Sequence, residues 1–297
     1  MVIRPQEGQP SQNVNATLLK QAAGNTIRYN IAPFPEKYPG ITITIMNAII
    51  LAAGVGKRLG EAAVDKPKCL LRFNGKSLLE RHIEVLQSLG VAEIHIVTGY
   101  RTEDIKLHLE GINITARLRV LFNPDFTEGS IVSLWHARQV LKTDGDIILM
   151  DADVLYDPRI LSKLIRGDAT NAFLLDRDYE PGVEPVKLCV SNGRLIDFRK
   201  EIDKDLQFDL QGESVGFFRF SPEVASRLAG RLQSWMDNDR RDEPYEEVIR
   251  ELLLESPDEF SYLDITGLTW IEIDFPEDIE RAKRLLQKHS SGLGLGL

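Results

Sequence analysis

Cysteine is nearly absent: Cys69 and Cys189 are the two found in 297 residues. Two widely spaced thiols make neither a disulfide framework nor a zinc site, and they read as reduced side chains. Histidine is almost as scarce. Four of the five, His82, His95, His108 and His136, fall on expected helices or strands without ligand spacing, and no chemistry is assigned to any of the five. Long apolar runs are missing too. None reaches the roughly 18 residues that a membrane-spanning helix needs, and no basic-then-apolar leader pattern opens the chain. The cytoplasm is the expected location. Positive charge is in deficit, with 36 Lys and Arg against 45 Asp and Glu and a formal net charge of −9. Such a chain lacks the broad positive field that non-specific DNA or RNA binding requires, so nucleic acid is not an expected partner. An anionic nucleotide could still bind where cations or a metal are concentrated locally.

What remains is an ordinary globular composition, 43% hydrophobic and 27% charged, long enough to bury a core. Residues 1–45 are rich in Gln, Asn, Pro and Gly and lack sustained periodicity. They are expected to form a poorly ordered extension, with Met46 a candidate natural start. Alternating glycines predict a flexible tail over 289–297. Between these ends, apolar runs suited to buried parallel strands alternate with helical periods. Strands are expected at 48–53, 93–98, 119–123 and 146–150, and helices at 77–89, 102–109, 130–141 and 158–165. The second half is more mixed, with a hairpin around Asn192-Gly193, strands at 213–220 and 270–274, and helices at 222–235, 245–254 and 276–287. The pattern argues for one three-layer α/β, Rossmann-like domain over 46–288. Its sheet is expected to be mostly parallel, with a partly antiparallel insertion.

Leu51-Ala-Ala-Gly-Val-Gly-Lys-Arg-Leu-Gly60 follows the first strand, and Asp65-Lys-Pro-Lys68 comes next. A dinucleotide fingerprint needs a third glycine where Leu59 stands. A P-loop needs a glycine at Leu51 and a hydroxyl residue at Arg58. Both fail on spacing. The chemistry fits an oligophosphate instead: Gly54 and Gly56 let the backbone come close, and Lys57, Arg58 and Lys68 bring positive charge. A second feature is acidic. Asp151-Ala-Asp153 closes the apolar strand Ile147-Ile-Leu-Met150, and Glu272 and Asp274 lie on one face of Trp270-Ile-Glu-Ile-Asp274. Carboxylates at strand ends are placed to hold magnesium, which takes oxygen ligands and substrate phosphates. Strand acids without a cation or donors would be costly to bury, so the two acidic ends suggest one shared metal site. Turn capping for Asp151 and Asp153, and pairing with basic residues for Glu272 and Asp274, are the competing readings.

The glycine string with its downstream Pro67-Lys68 resembles the signature of nucleotidyltransferases that make sugar nucleotides and CDP-alcohols. Asn74-Gly75-Lys76-Ser-Leu-Leu-Glu80 is similar to that family's next block, and the likeness runs from about Met46 to about Leu286. It implies that Leu51, Ala52, Ala53, Gly54, Gly56, Lys57 and Arg58 hold the nucleotide and that Lys68 stabilises charge at the reacting phosphate. Asp153 and Asp274 match metal-binding positions, and the Trp-x-Glu-x-Asp form resembles the phosphocholine-type cytidylyltransferases. Glu128-Gly-Ser-Ile-Val-Ser-Leu-Trp135 is similar to a block bordering nucleotide and acceptor, which draws in Ser130 and Ser133.

The expected reaction is transfer of CMP from CTP to a small phosphate- or phosphonate-bearing alcohol or amine, with Lys68, Arg58 and Lys187 neutralising charge. Phosphocholine, aminoethylphosphonate and inositol phosphate all remain open as acceptors. Trp135, Tyr156 and Tyr179 could form an aromatic wall for a quaternary ammonium, and Asp176 could receive an amine; a core role for the rings and a solvated loop for the acid are the alternatives. A sugar-1-phosphate nucleotidyltransferase using UTP, GTP or dTTP is the nearest rival, and a non-catalytic nucleotide sensor the rival from another class. A homodimer is compatible with the sequence.

Overall fold

Apolar runs set the frame. The computed structural model describes residues 2–3, 19–23, 26–30, 43–63, 66–180, 182 and 184–290. Its central strands are β1 (Met46–Ala52), β2 (Glu93–Thr98), β3 (Arg117–Phe122), β4 (Asp146–Asp151), β6 (Ala172–Asp176), β7 (Lys187–Ser191), β8 (Arg194–Arg199), β9 (Leu210–Phe220) and β10 (Ser261–Asp264). Two more, β5 (Val154–Tyr156) and β11 (Trp270–Glu272), pair with each other outside the sheet. The sheet order is β8-β7-β9-β4-β1-β2-β3, with β6 beside β9 and β10 beside β6. β4, β1, β2 and β3 run parallel, whereas β9 is antiparallel to β4, β6 and β7.

Helices cover both faces. On one, α1 (Leu78–Ser88), α2 (Thr102–Glu110) and α4 (Pro158–Arg166) bury residues such as Ile83, Ile105 and Leu161. On the other, α3 (Ser130–His136), α5 (Pro222–Asp237) and α6 (Tyr245–Glu255) bury Leu134, Leu228 and Ile249. Side-chain caps start three of these helices. Ser77 and Glu80 form a reciprocal capping box on α1, and Asp157 and Ser221 cap α4 and α5 ahead of Pro158 and Pro222. Asn192 and Gly193 have φ of 51° and 76°, the left-handed pair that a tight β7–β8 hairpin requires.

The helix expected over 130–141 ends at His136, where the chain tightens; Val140 N donates to Ala137 O at 2.8 Å. The strand expected over 270–274 ends at Glu272, because Ile273 N turns to Asp153 O and Asp274 N is taken by Asp278 Oδ2. In the segment 1–45, Leu19–Ala23 pairs with Thr26–Asn30, and Val2–Ile3 pairs with Ile43–Thr44. The rest of that proposed extension, and 291–297 of the proposed tail, lie outside the described residues. Among the described residues, no helix is long and apolar enough to cross a membrane.

A third apolar cluster positions the site. Leu59, Phe73, Leu78, Leu155, Ile271 and Ile273 pack with Ala282 and Leu286 of α7 (Pro276–Ser290). Leu59, standing where a dinucleotide fingerprint would have glycine, is fully buried here and pins the glycine loop to the β5–β11 ribbon.

Candidate active site

Register alone brings the glycine loop and the first acids together. In the parallel pair, Met150 faces Ile50 and Asp151 faces Leu51, so both chains leave the sheet at one edge. The β5–β11 ribbon does the rest. Val154 pairs with Glu272 and Leu155 with Ile271, and Ile273 N donates to Asp153 O at 3.0 Å. Asp153, Glu272 and Asp274, up to 121 positions apart in the chain, thereby each place a carboxylate oxygen within 4.8 Å of the other two.

Lys68 lies between two of these acids. Its Nζ donates to Asp153 Oδ2 at 2.7 Å and to Asp274 Oδ1 at 2.5 Å. The approach depends on Gly56, whose φ is +68° and whose missing Cβ would stand 2.7 Å from Lys68 Cγ. Arg58 Nη1 donates to Asp274 Oδ2 and to Glu184 Oε2, each at 3.0 Å, and Lys200 Nζ reaches Glu184 at 3.2 Å. Acids and bases thus alternate along one connected chain of ion pairs. Burial opposes the charge on Lys68, but Asp153 and Asp274 outweigh it and raise its pKa. Burial also opposes the charge on Asp274, yet Lys68 and then Arg58 hold its carboxyl below the usual range. Glu272 opens onto a cleft but is crowded by protein. That crowding, with Asp153 and Asp274 alongside, pushes it up to about 8. Three hard oxygen donors at this spacing suit a divalent ion.

Leu51, Ala52 and Ala53 end β1 under the loop; Gly54 and the exposed Lys57 face outward, and nothing stands within 4 Å of the position a Gly54 Cβ would take. The exposed Gly54, Lys57 and Arg58 therefore border open space on the side of the three carboxylates, where Arg58 reaches Asp274. That is what an oligophosphate with its metal needs.

A model of the MobA-like NTP transferase domain matches residues 48–205, just over half of the chain. The chain belongs to that family. It is a nucleotidyltransferase. It is 26% identical over 254 residues to the CTP:phosphoglutamine cytidylyltransferase of Campylobacter jejuni, covering 79% of this chain and 98% of that one. It is 28% identical over 252 residues to the CMP-5'-(3-aminopropyl)phosphonate synthase of Streptomyces rubellomurinus, covering 80% of this chain but 38% of that one. The inositol-1-phosphate CTP transferase of T. maritima has a similar fold, with a TM-score of 0.65 at 22% identity over 84% of this chain and 98% of that one.

Beyond the carboxylates, the transferase has a two-armed cleft. A wide arm of about 430 Å³ is lined by Asp176, Tyr179, Trp270, Phe275 and Arg281 among others. A deep arm of about 120 Å³ runs between Lys200, Gly216, Tyr245 and Glu246. Glu184, Glu213, Glu272 and Asp274 border both. Asp176 accepts from Trp270 Nε1 at 2.7 Å, and Tyr179 donates to Gln211 Oε1 at 2.6 Å, so both are fixed in the wall of the wide arm.

Other expected residues stand elsewhere. Trp135 packs against the core, donates to Gln233 and is covered by Arg138, so its ring is spent away from the cleft. Tyr156 is 6% exposed and stacks on His82 beneath the ribbon, facing away from both arms. Ser130 Oγ accepts from Tyr245 N, and Ser133 Oγ accepts from Asn123 Nδ2, so both hydroxyls serve the scaffold. Lys187 donates to the carbonyls of Pro185 and Lys200 and secures the base of the hairpin. Asp151 is absent from the three-carboxylate group. Its Oδ2 accepts from Tyr245 Oη at 2.6 Å and lies over Gly216, where a Cβ would come within 2.2 Å. Lys200, Glu213, Gly216 and Glu246 border the cleft without having been singled out from sequence. One signal was available, a glycine interrupting the apolar strand β9, which often marks close backbone approach.

Proposed function

We propose that this nucleotidyltransferase transfers CMP from CTP to a small alcohol or amine that carries a phosphate or phosphonate, releasing pyrophosphate. The convergence of Asp153, Glu272 and Asp274 on Lys68, across from the glycine loop, carries this reading. The cytidylyl-transferring relatives from Campylobacter and Streptomyces support the choice of nucleotide and of acceptor class.

An oxygen of the acceptor's phosphate attacks the α-phosphorus of CTP, and the bond from that phosphorus to the β-phosphate oxygen breaks. Pyrophosphate departs with the bonding pair. The attacking oxygen is already an anion, so no general base is needed, and the protein's work is positioning and charge stabilisation. Gly54 and Gly56 admit the triphosphate to the backbone, and Arg58 and Lys57 balance its charge. Lys68 neutralises the charge that grows on the α-phosphoryl oxygens, a preorganised contact whose loss typically costs roughly 3 kcal/mol. Asp153, Glu272 and Asp274 would hold a magnesium ion, which when bound supplies Lewis-acid stabilisation of phosphate oxygens.

Pyrophosphate release measured with CTP, UTP, GTP and dTTP against phosphocholine, aminoethylphosphonate, inositol phosphate and sugar 1-phosphates tests the reading. CTP should lead with a phosphorylated alcohol or amine. Preference for UTP with a sugar 1-phosphate would replace it, and nucleotide binding without turnover on any acceptor would reject it.

A further inference from the structure

A third cavity, of about 180 Å³, lies between the turn at Asn74, helix α1 and strand β5. None of its residues borders either arm of the cleft. Strand β11 of the ribbon lines the wide arm, whereas its partner β5 lines this cavity. Val85 and Pro158 are partly exposed and give it apolar surface. Its charged groups are Lys76, Arg81 and Glu84, two bases against one acid. Glu84 is already engaged, because Lys76 Nζ donates to both of its oxygens at 2.7 Å.

Arg81 is the group left over. Its Nη2 donates to Phe73 O at 2.6 Å, and it has no ion pair and no other hydrogen bond among the described residues. Nε is sealed from water without a partner, whereas Nη1 is unpaired but not sealed. A partly buried guanidinium with so few acceptors is costly. Burial pulls its pKa below the usual value, although Glu84 and Glu80 act the other way. Tyr156, in the same wall, is 6% exposed, and its Oη also lacks a hydrogen-bond partner. The sealed Nε and Oη are not what a ligand would touch; they mark a wall short of acceptors. The surface a ligand would meet is Arg81 Nη1, with the exposed Asn74 and Lys76 at the mouth.

That mouth is set in advance. Asn74 and Gly75, with φ of 48° and 84°, make the tight turn between Arg72–Phe73 and Lys76–Ser77. Arg72 Nη1 braces the turn at Gly75 O, 2.9 Å away, and Arg81 holds it at Phe73 O. Asn74, Lys76 and Arg81 therefore surround one opening before anything binds, which lowers the ordering cost of a ligand. Lys76 and Glu84 are 46% and 44% exposed, and a pair so open to solvent is weak enough for Lys76 to turn to an anion.

We infer that this cavity is a second anion site, separate from the transfer centre, and that it takes the phosphate of a small organic phosphate monoester. Arg81, Lys76 and the Asn74 amide donate to the phosphate oxygens, and the ligand's apolar part lies against Val85 and Pro158. The inference stands apart from the transfer reaction proposed above. The wall such a ligand would rest on begins beside Asp153 and pairs Val154 with Glu272, so the site adjoins the ribbon that gathers the carboxylates.

Isobutyl phosphate titrated calorimetrically into the full chain, without nucleotide or magnesium, tests the site beside isovalerate and uncharged isobutanol. The phosphate should bind, isovalerate more weakly, and isobutanol not detectably. Arg81→Gln should raise the Kd by about tenfold or more, and Lys76→Gln by about threefold. Glu84→Gln, which frees Lys76, should lower it, and Lys68→Met should leave it unchanged. Circular dichroism checks the fold of each variant. Should Arg81→Gln fail to fold, the exposed Lys76→Gln and Glu84→Gln still decide, since a merely structural role would not move their Kd in opposite directions. No binding by the wild type, isobutanol bound as well as the phosphate, isovalerate bound more tightly, or wild-type affinity in Arg81→Gln and Lys76→Gln overturns the inference. Loss of binding in Lys68→Met with Arg81→Gln unaffected would assign the anion to the transfer centre and overturn it equally.

Discussion

Lys68 acts in this structure as a tethered cation inside a group of carboxylates, and replacing it by methionine should separate two effects. Asp153, Glu272 and Asp274 bring oxygens within 4.8 Å of one another, and at an effective dielectric of about 20 two unit charges at that distance repel by about 3.5 kcal/mol. The wild-type chain offsets this with ammonium contacts of 2.5 and 2.7 Å. The Lys68, Asp153 and Asp274 side chains are 13%, 22% and 24% exposed, so solvent screening is partial. Proton uptake and water will relieve some of the strain in Lys68→Met, leaving a loss of about 2 kcal/mol at pH 8, or about 4–8 °C in Tm for a chain of this size. Millimolar magnesium without nucleotide should recover most of that loss in the variant. It should do less for the wild type, where Lys68 competes for the same oxygens. Thermal melts at pH 8 with and without magnesium, beside a pyrophosphate assay, read both effects. Equal magnesium-induced Tm shifts in the two proteins would refute the competition, and near-normal turnover of the variant would refute the assigned role.

Four further outcomes are expected. Asp153→Asn should lower kcat by about a hundredfold with unchanged circular dichroism; wild-type kinetics would remove Asp153 from the site. Gly216→Ala places a methyl 2.2 Å from Asp151 Oδ2 on a backbone with φ of +76°, and urea unfolding should show a loss of about 2 kcal/mol or more. Arg219, 2% exposed and bound to Asp146 and to the carbonyls of Ile165 and Gly167, should cost about 3–5 kcal/mol on replacement by alanine, measured the same way. His82 is fully buried, and desolvation lowers its pKa from 6.5 to about 4. The unfolded chain then takes up the proton first, so stability rises with pH from about 4 to 6.5 and falls on acidification through that window. The contribution is about 3 kcal/mol, and denaturation of His82→Phe against pH should show it gone.

The glycine loop and the distant acidic strand ends were legible because each depends on local pattern. An apolar strand followed by Gly-x-Gly with nearby bases, or by acids at its carboxyl end, states its chemistry within about 20 residues. Which acids cooperate was only half legible. Asp151 and Asp153, two positions apart, should share a face if the strand continued, but β4 ends at Asp151 and a turn sends their side chains to different partners. Trp135 and Tyr156 lie away from both arms of the cleft for a related reason. An aromatic residue near a motif carries no sign of which face it takes, and both were claimed by the core. Glu213, Glu246 and Lys200 were silent because the cleft is assembled from β9, α6 and the end of β8, whose meeting is a product of long-range pairing that no local window records.

The ribbon that joins Val154 to Glu272 also sets the timing of the site's assembly. Most of the sheet can be made from residues well short of the C-terminus, yet the third carboxylate arrives only at residue 274 and its backbone is fixed by Asp278 in the final helix. A growing chain therefore holds a nearly finished scaffold before Glu272 and Asp274 dock, and if these acids serve as proposed, trimming that helix should silence the enzyme while leaving most of its architecture standing.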